Sequence, residues 1–302
     1  SKNERGLGRR KFQFDGIEII QDTSFSNFWY NSIMSIDNPI PKIEVPPVEG
    51  ESTAIEEADV EKIKKLFGHC FQISKFDEGD KIPVGGESIF SNNADIKVVG
   101  DFENLSDFFA DVHELVNKYN LDELKEWLVS NGFDLDEKLF AILFAFTKKY
   151  DDRYPNNPNR EDARRKIYAD KSKEIKLSEI FRDNVAECAE IAALAQRYLQ
   201  QEGVDSDYFS GDVLWEKDHP YSEQHSFIII RRGDKTYIYD PTNPTNTTIG
   251  NFPSLYTTEA VFGEEMAKKQ KRFVTSKNIF SKKEVFYGTN NGTNIYPDQH
   301  IV

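Results

Sequence analysis

Apolar side chains recur every three or four positions along several stretches of the chain, which is the spacing of a helix with one buried face. The pattern predicts helices over residues 56–71, around 108–119, and over 121–129, 135–150, 176–182, 185–202 and 257–271. Asn131-Gly132 follows the third of them and is a typical signal for the end of a helix.

Four other stretches are rich in β-branched and aromatic residues, which favours strands. They cover residues 207–215, 225–231, 236–240 and 283–288, and Gly233-Asp234 predicts a tight turn between the second and the third. Helices that precede a run of adjacent strands indicate an α+β fold, in which a helix packs on an antiparallel sheet.

Residues that break regular structure divide the chain into three parts. Residues 1–50 mix aromatic residues with prolines and predict an irregular N-terminal arm. The first four predicted helices lie in residues 51–150, which we interpret as a helical accessory subdomain. Prolines and asparagines in 151–159 are typical of a linker, so residues 151–302 are expected to form the second, α+β domain.

Composition narrows the classes of function. The 302-residue chain has a formal net charge of −14, which disfavours nucleic acid as a partner because a phosphate backbone would be repelled. It has no run of about 18 apolar residues, so we expect no membrane span. Its two cysteines, Cys70 and Cys188, are too few for a disulfide framework and favour a reducing compartment. A single disulfide between them is the alternative.

Cys188 lies near the start of the helix predicted over 185–202, whose buried stripe begins at Ile191. Asn184 and Glu187 have the spacing of a capping box, which would place the cysteine about one turn inside the helix. Free N–H groups and the helix dipole at that end favour a thiolate. The negative charges of Glu187 and Glu190 oppose this effect, so the thiol should depend strongly on a basic partner.

His225 and Asp240 are expected to supply that partner. They flank the predicted hairpin, and antiparallel pairing with an even loop places both side chains on the same face of the sheet. An aspartate on one imidazole nitrogen orients the ring and leaves the other nitrogen to accept the thiol proton. Cys188, His225 and Asp240 therefore have the chemistry of a nucleophilic triad.

Residues 186–242 resemble the core of the transglutaminase-like superfamily of cysteine enzymes, which belongs to the papain-like clan. The matching features are Cys188 on a helix, the turn and strand of residues 203–211, His225 at the start of a strand, and Asp240-Pro241-Thr242 at the end of the next. The chain departs from the usual pattern at Glu187, Asp207 and Ser226-Phe227, which affects the expected substrate preference. Its length and helical extension resemble bacterial members, including secreted effectors that deamidate a host glutamine.

The resemblance implies a transglutaminase/papain-like core, with residues 151–302 as the catalytic domain. It also implies that the Cys188 backbone N–H contributes to an oxyanion hole. Asn184 is a candidate either for the second oxyanion donor or for the helix cap. Trp215 is a candidate for substrate binding, with a place in the core as the alternative. No nucleotide-binding or metal-ligand motif was found, so we expect no cofactor and no metal.

These observations predict a thiol enzyme that attacks amide groups of a protein or peptide substrate and forms a thioester. A glutamine deamidase, a transglutaminase and a cysteine protease all fit this chemistry. Action in the cytoplasm, including that of a host cell into which the protein is delivered, fits the expected reducing compartment. The alternative is a binding module that has kept the fold and lost the activity.

Overall fold

The computed structural model describes ten segments of the chain: residues 10–14, 17–21, 71–82, 97–155, 157–169, 173–215, 223–233, 235–247, 250–259 and 272–289. Within them, helices and strands are combined as expected for an α+β protein. The helices lie mainly before residue 202, and the long strands follow them.

Strands are numbered in chain order. They are β1 (Arg10–Phe14), β2 (Ile17–Gln21), β3 (Phe71–Ile73), β4 (Lys81–Ile82), β5 (Lys97–Val99), β6 (Glu174–Lys176), β7 (Ser206–Leu214), β8 (Glu223–Arg232), β9 (Lys235–Thr247), β10 (Gly250–Glu259), β11 (Arg272–Asn278) and β12 (Glu284–Thr289). Strands β7 to β12 pair with their neighbours in sequence, all antiparallel, and β12 also pairs with β7. The second pairing closes these six strands into a barrel, and β3 pairs with residues 208–210 of β7.

Both faces of the barrel strands are apolar, and alternate side chains along each strand pack against different parts of the protein. One set, which includes Phe209, Phe227 and Ile238, packs only with side chains from other barrel strands and fills the interior. The set between them, which includes Tyr208 and Ile228, packs with helices on the outside. A strand buried on both sides reads as a continuous apolar run, as in Phe-Ile-Ile-Ile of β8.

Six α-helices occur in the described segments: α1 (Ser106–Val116), α2 (Leu121–Ser130), α3 (Glu137–Arg153), α4 (Arg160–Ile167), α5 (Leu177–Arg182) and α6 (Cys188–Gln201). A short 3-10 helix, Phe102–Leu105, precedes α1. The Asn120 and Asp136 side chains accept backbone N–H bonds at the starts of α2 and α3, as expected of helix caps. None of the described helices is both long and apolar enough to cross a membrane.

Helix α6 packs on β7, β8 and β9, and this contact brings the start of the helix to the site described below. Helices α1 to α3 pack in the same apolar cluster as α6 and the outer barrel face. Phe252 of β10, for example, lies 5.9 Å from the rings of both Trp127 and Phe140, centroid to centroid. Helix α3 also continues through the boundary predicted at residue 150. The division into an accessory and a catalytic domain stays a prediction.

Several expectations about elements were wrong. Residues 257–259, predicted to be helical, continue β10 because they pair with β11; residues 260–271 lie outside the described segments. Within the predicted irregular arm, β1 and β2 form an antiparallel pair. Phe71, predicted to end a helix, begins β3, whereas residues 56–70 are outside the description. Helix α4 was not predicted, since its only fully buried side chain is an arginine.

Candidate active site

Cys188 is the first residue of α6, and its thiol is free and partly buried. The residue before it, Glu187, is the helix cap. The Glu187 side chain accepts a bond from the backbone of Glu190, and the Glu190 side chain accepts one from the Glu187 N–H at 3.0 Å. The capping box therefore starts three residues later than predicted, and Cys188 lies at the open end of the helix, where backbone N–H groups lack intrahelical partners.

Asn184 is not the cap of α6, so that part of the prediction was wrong. Its backbone has φ +53°, a left-handed conformation that asparagine tolerates better than most residues, and it ends α5 by bonding back to the Phe181 carbonyl. Its side-chain amide donates to the backbone carbonyl of Pro155. The amide is thus occupied in joining α5 to the segment after α3.

His225 and Asp240 lie on the neighbouring strands β8 and β9. Ile228 of β8 lies opposite Tyr239 of β9, and this register places His225 and Asp240 on the same face of the sheet, as predicted. Both side chains therefore belong to the interior set. Their side chains meet, and His225 Nε2 lies 2.8 Å from Asp240 Oδ2. Asp240 is fully buried and His225 nearly so.

The Asp240 carboxylate has a complete set of donors besides the imidazole. The Thr242 N–H donates to Oδ1 at 3.0 Å, while Asn243 Nδ2 and Tyr287 Oη donate to Oδ2 at 3.2 and 3.1 Å. Burial alone would raise the pKa of Asp240, but the His225 charge and these hydrogen bonds outweigh burial and lower it below 3.8. The residue is therefore held as a carboxylate in the interior.

His225 lies between this carboxylate and the Cys188 thiol. Burial opposes the charged imidazole, but the charge and hydrogen bond of Asp240, followed by a hydrogen bond and charge interaction with Cys188, raise the pKa of His225 from 6.5 to about 10. Because Nε2 is bonded to Asp240, Nδ1 is the ring nitrogen that remains for the thiol. The arrangement favours an imidazolium beside the sulfur.

Trp215 packs against this histidine. Its ring lies edge-on to the imidazole, with centroids 5.3 Å apart, and its Nε1 donates to Glu223 Oε2 at 2.8 Å. Trp215 also contacts the apolar cluster that fills the barrel interior, and it is partly exposed. Both alternatives considered for it have a structural basis, and substrate binding stays a prediction.

The sequence suggested that Glu187 and Glu190 are isolated negative charges near Cys188, but in the structure both lie close to a cation. Arg164 of α4 is buried, and its Nη2 lies 2.8 Å from Glu190 Oε1, while its Nε lies 3.8 Å from Glu187 Oε2. The sequence analysis missed this residue. The nearest sequence signal was the spacing of Glu187 and Glu190. That spacing is typical of a capping box and does not point to an arginine partner.

Two tyrosines around the site were also missed. Tyr287 of β12 bonds to Asp240, as described above, and Tyr208 of β7 bonds to Ser226 at 2.9 Å and interacts electrostatically with Cys188. Burial raises the pKa of both hydroxyls, so both are neutral near neutral pH. No local sequence signal identifies either one, because Tyr287 reaches Asp240 only when β12 pairs with β7, and Tyr208 approaches Cys188 only when α6 packs on β7.

The chain matches no family model, and a search of curated proteins finds no significant match. The geometry above therefore defines the site by itself: a cysteine at a helix start, and a buried histidine–aspartate pair on the strands beneath that helix.

Proposed function

We propose that the protein is a thiol enzyme in which Cys188, His225 and Asp240 act as a catalytic triad on amide groups of a protein or peptide. The observation that carries the proposal is the position of His225, whose Nε2 lies 2.8 Å from the buried Asp240 carboxylate, while its interaction with Cys188 helps to raise the pKa of the ring. Nucleophile, base and orienting carboxylate form one connected chain, which is the arrangement that activates a thiol.

In the proposed reaction, Cys188 begins as a thiolate paired with the His225 imidazolium. The sulfur attacks the amide carbonyl carbon, a C–S bond forms, and the carbonyl electron pair moves onto oxygen. When the carbonyl re-forms, the C–N bond breaks and His225 gives its proton to the departing nitrogen. Ammonia or an amine leaves, and a thioester remains on Cys188.

The second half of the reaction frees the enzyme. Water or an amine attacks the thioester and His225 takes its proton. The C–S bond then breaks, which restores the thiolate and imidazolium. Attack by water gives deamidation of a glutamine or cleavage of a peptide bond, and attack by an amine gives transamidation. The Cys188 backbone N–H, at the open start of α6, is the proposed donor to the oxyanion in both halves.

We further propose that the protein is related to the transglutaminase-like superfamily. In support, a helix that begins with the cysteine packs on antiparallel strands carrying the histidine and the aspartate in that order. The same chemistry would require a reduced thiol, and hence a reducing place of action.

The first experiment measures whether His225 activates Cys188. In a Cys70→Ser background, Cys188 is the only thiol, and its alkylation by iodoacetamide can be followed directly. We expect rapid alkylation near neutral pH that falls by at least about tenfold in His225→Ala. His113→Ala is the matched control, because His113 is exposed and pairs with Glu202 at the far end of α6. Equally slow alkylation in all three proteins would refute the triad and favour the binding module.

The second experiment identifies the reaction. A Cys188→Ala variant is used to capture bound proteins, which are then incubated with the active enzyme and examined by mass spectrometry. A gain of about one dalton on a glutamine means deamidation, a new terminus means proteolysis, and an isopeptide cross-link means transamidation. The His225→Ala protein should give none of these products.

A further inference from the structure

Arg164 is a cation buried directly behind the start of α6. Its side chain is about 1% exposed, and it projects from α4, a helix whose other residues are mostly exposed. The guanidinium also lies over the Tyr168 ring, 4.7 Å from its centroid. An arginine this deeply buried would be strongly destabilising without partners, so the groups that it contacts show what it holds in place.

Its closest charged partner is Glu190, which is completely buried. Glu190 Oε1 accepts from Arg164 Nη2 at 2.8 Å and from Tyr168 Oη at 3.2 Å, while Oε2 accepts from the Glu187 N–H at 3.0 Å. Both carboxylate oxygens are thus used, one toward Arg164 and one toward the residue that precedes Cys188. The negative charge on the first turn of α6 is balanced inside the protein.

Arg164 also contacts the backbone that leads into the cysteine. Its Nη1 donates to the carbonyl of Val185 at 2.8 Å, three residues before Cys188. One planar side chain therefore fixes the segment before the helix and, through Glu190, the cap of the helix itself. The N–H groups on Nη1 and Nη2 reach two separate acceptors, and a lysine ammonium cannot reproduce this planar geometry.

We propose that Arg164 is a positioning residue for Cys188: it joins the start of α6 to α4 and balances Glu190, so that the thiolate does not face an uncompensated carboxylate. The proposal rests on the proposed function, because it matters only if Cys188 acts as a thiolate. Arg164 would act through Glu190 and Val185 and would not touch the substrate.

Other charged or titratable groups surround this end of α6 and contribute to its electrostatics. They are Glu187 and Glu190 on the helix, Arg160 and Tyr168 from α4, Tyr150 from α3, and Tyr208 and His225 from the barrel, with Asp240 behind His225. Burial raises the pKa of Glu187, Arg164 lowers it and Glu190 raises it again. Loss of Arg164 would therefore leave two coupled carboxyl groups next to the sulfur.

The test is the pH profile of Cys188 alkylation by iodoacetamide in the Cys70→Ser background. In Arg164→Met, which keeps an unbranched apolar stem and removes the charge, we expect the midpoint of the profile to rise by about one pH unit. The rate at pH 7 should fall about tenfold in consequence. Arg164→Lys should restore the midpoint in part, since it returns the charge without the planar pair of donors.

The double variant Arg164→Met/Glu190→Gln separates charge balance from general damage. Removing both partners avoids an unpaired buried charge, so this protein should fold and its midpoint should return to within about 0.3 pH units of the parent value. Arg197→Met is the matched control. Arg197 lies on α6 itself, about 13 Å from Cys188 along the helix axis, and donates to the Phe76 carbonyl at 2.8 Å.

Each outcome decides the matter. A midpoint that moves in Arg164→Met, returns in the double variant and stays unchanged in Arg197→Met supports the proposal. A midpoint that is the same in Arg164→Met as in the parent, or is equally displaced in the double variant, overturns it. If Arg164→Met does not fold, Arg164→Lys decides: a midpoint above the parent value supports the proposal, and a midpoint equal to the parent value overturns it. A parent protein whose alkylation does not depend on His225 would instead refute the proposed function.

Discussion

Replacing Asp240 by asparagine should remove most of the pH dependence of stability between pH 6.5 and 10. Asp240 is the group whose charge keeps His225 protonated in the interior, since burial alone would favour the neutral ring. Asparagine fills nearly the same space and retains one oxygen for hydrogen bonding, but it carries no charge. His225 should then remain neutral when the protein is folded.

The magnitude follows from the pKa of His225, which is about 10 in the folded protein against an ordinary value of 6.5. A raised pKa means that the stabilisation is fully present below pH 6.5 and is lost as the pH rises through about 10. Over that interval the folded state holds one more proton than the unfolded chain. The free energy of unfolding should therefore fall by about 1.4 kcal/mol for each pH unit, or about 5 kcal/mol in all.

Asp240 itself contributes with the opposite sign. Its pKa is lowered from 3.8, so its stabilisation is present above that value and is lost as the pH falls further. The pair should stabilise the protein most between about pH 4 and pH 6.5. At pH 6, Asp240→Asn should lower the free energy of unfolding by about 3–5 kcal/mol, because it breaks a buried charge pair.

Urea unfolding followed by circular dichroism, at half-unit steps from pH 6 to pH 10 and constant ionic strength, measures this dependence. A Cys70→Ser background removes the titration of that thiol and keeps Cys188, which helps to raise the pKa of His225. Asp205→Asn is the control, because Asp205 is an exposed carboxylate paired with Arg231, and its loss should leave the slope unchanged. If Asp240→Asn keeps the full decline of the parent, the reasoning about the pair is refuted.

Three further substitutions test other parts of the structure. Tyr287→Phe removes a buried hydrogen bond to Asp240 and should cost about 1–2 kcal/mol of stability in urea unfolding, whereas an unchanged protein would mean that the bond is absent. Phe140→Ala should lower the free energy of unfolding by about 3–5 kcal/mol. Because the helices and the barrel share a core, circular dichroism and tryptophan fluorescence should still show one cooperative transition, and two separate transitions would contradict this. Asn184→Gly keeps access to positive φ and loses the bond to Pro155, so substrate turnover should change less than about threefold. If Asn184 were an oxyanion donor, the same substitution would lower turnover about a hundredfold or more.

Local sequence patterns predicted a helix or strand well where its structure depends on a single buried face. Helices α1 to α3 and α6 start and end within a few residues of the predicted bounds, because each has an amphipathic face, and α2 and α3 also have clear caps. Strand β9 shows the limit of this approach. It was expected to end at Asp240, before Pro241, but it continues to Thr247 through a register shift opposite β10, which accommodates prolines in the strand.

The candidate site divides in the same way. The order of Cys188, His225 and Asp240 and the parity of the hairpin predicted that histidine and aspartate share a face, and the structure brings them to 2.8 Å. The start of α6 was predicted three residues too early because Asn184 and Glu187 have capping-box spacing. In the fold, Glu187 and Glu190 form the box and Asn184 ends the preceding helix.

By itself, the sequence determined the α+β class, the principal helices and strands, and the three residues of the proposed triad, because each depends on local periodicity or on the geometry of one hairpin. Only the tertiary structure decided what surrounds them. Closure of β12 on β7 brings Tyr287 to Asp240, and the packing of α4 brings Arg164 to Glu190. These partners are 47 and 26 positions apart, and contacts between distant residues depend on how whole elements pack, which no local pattern encodes.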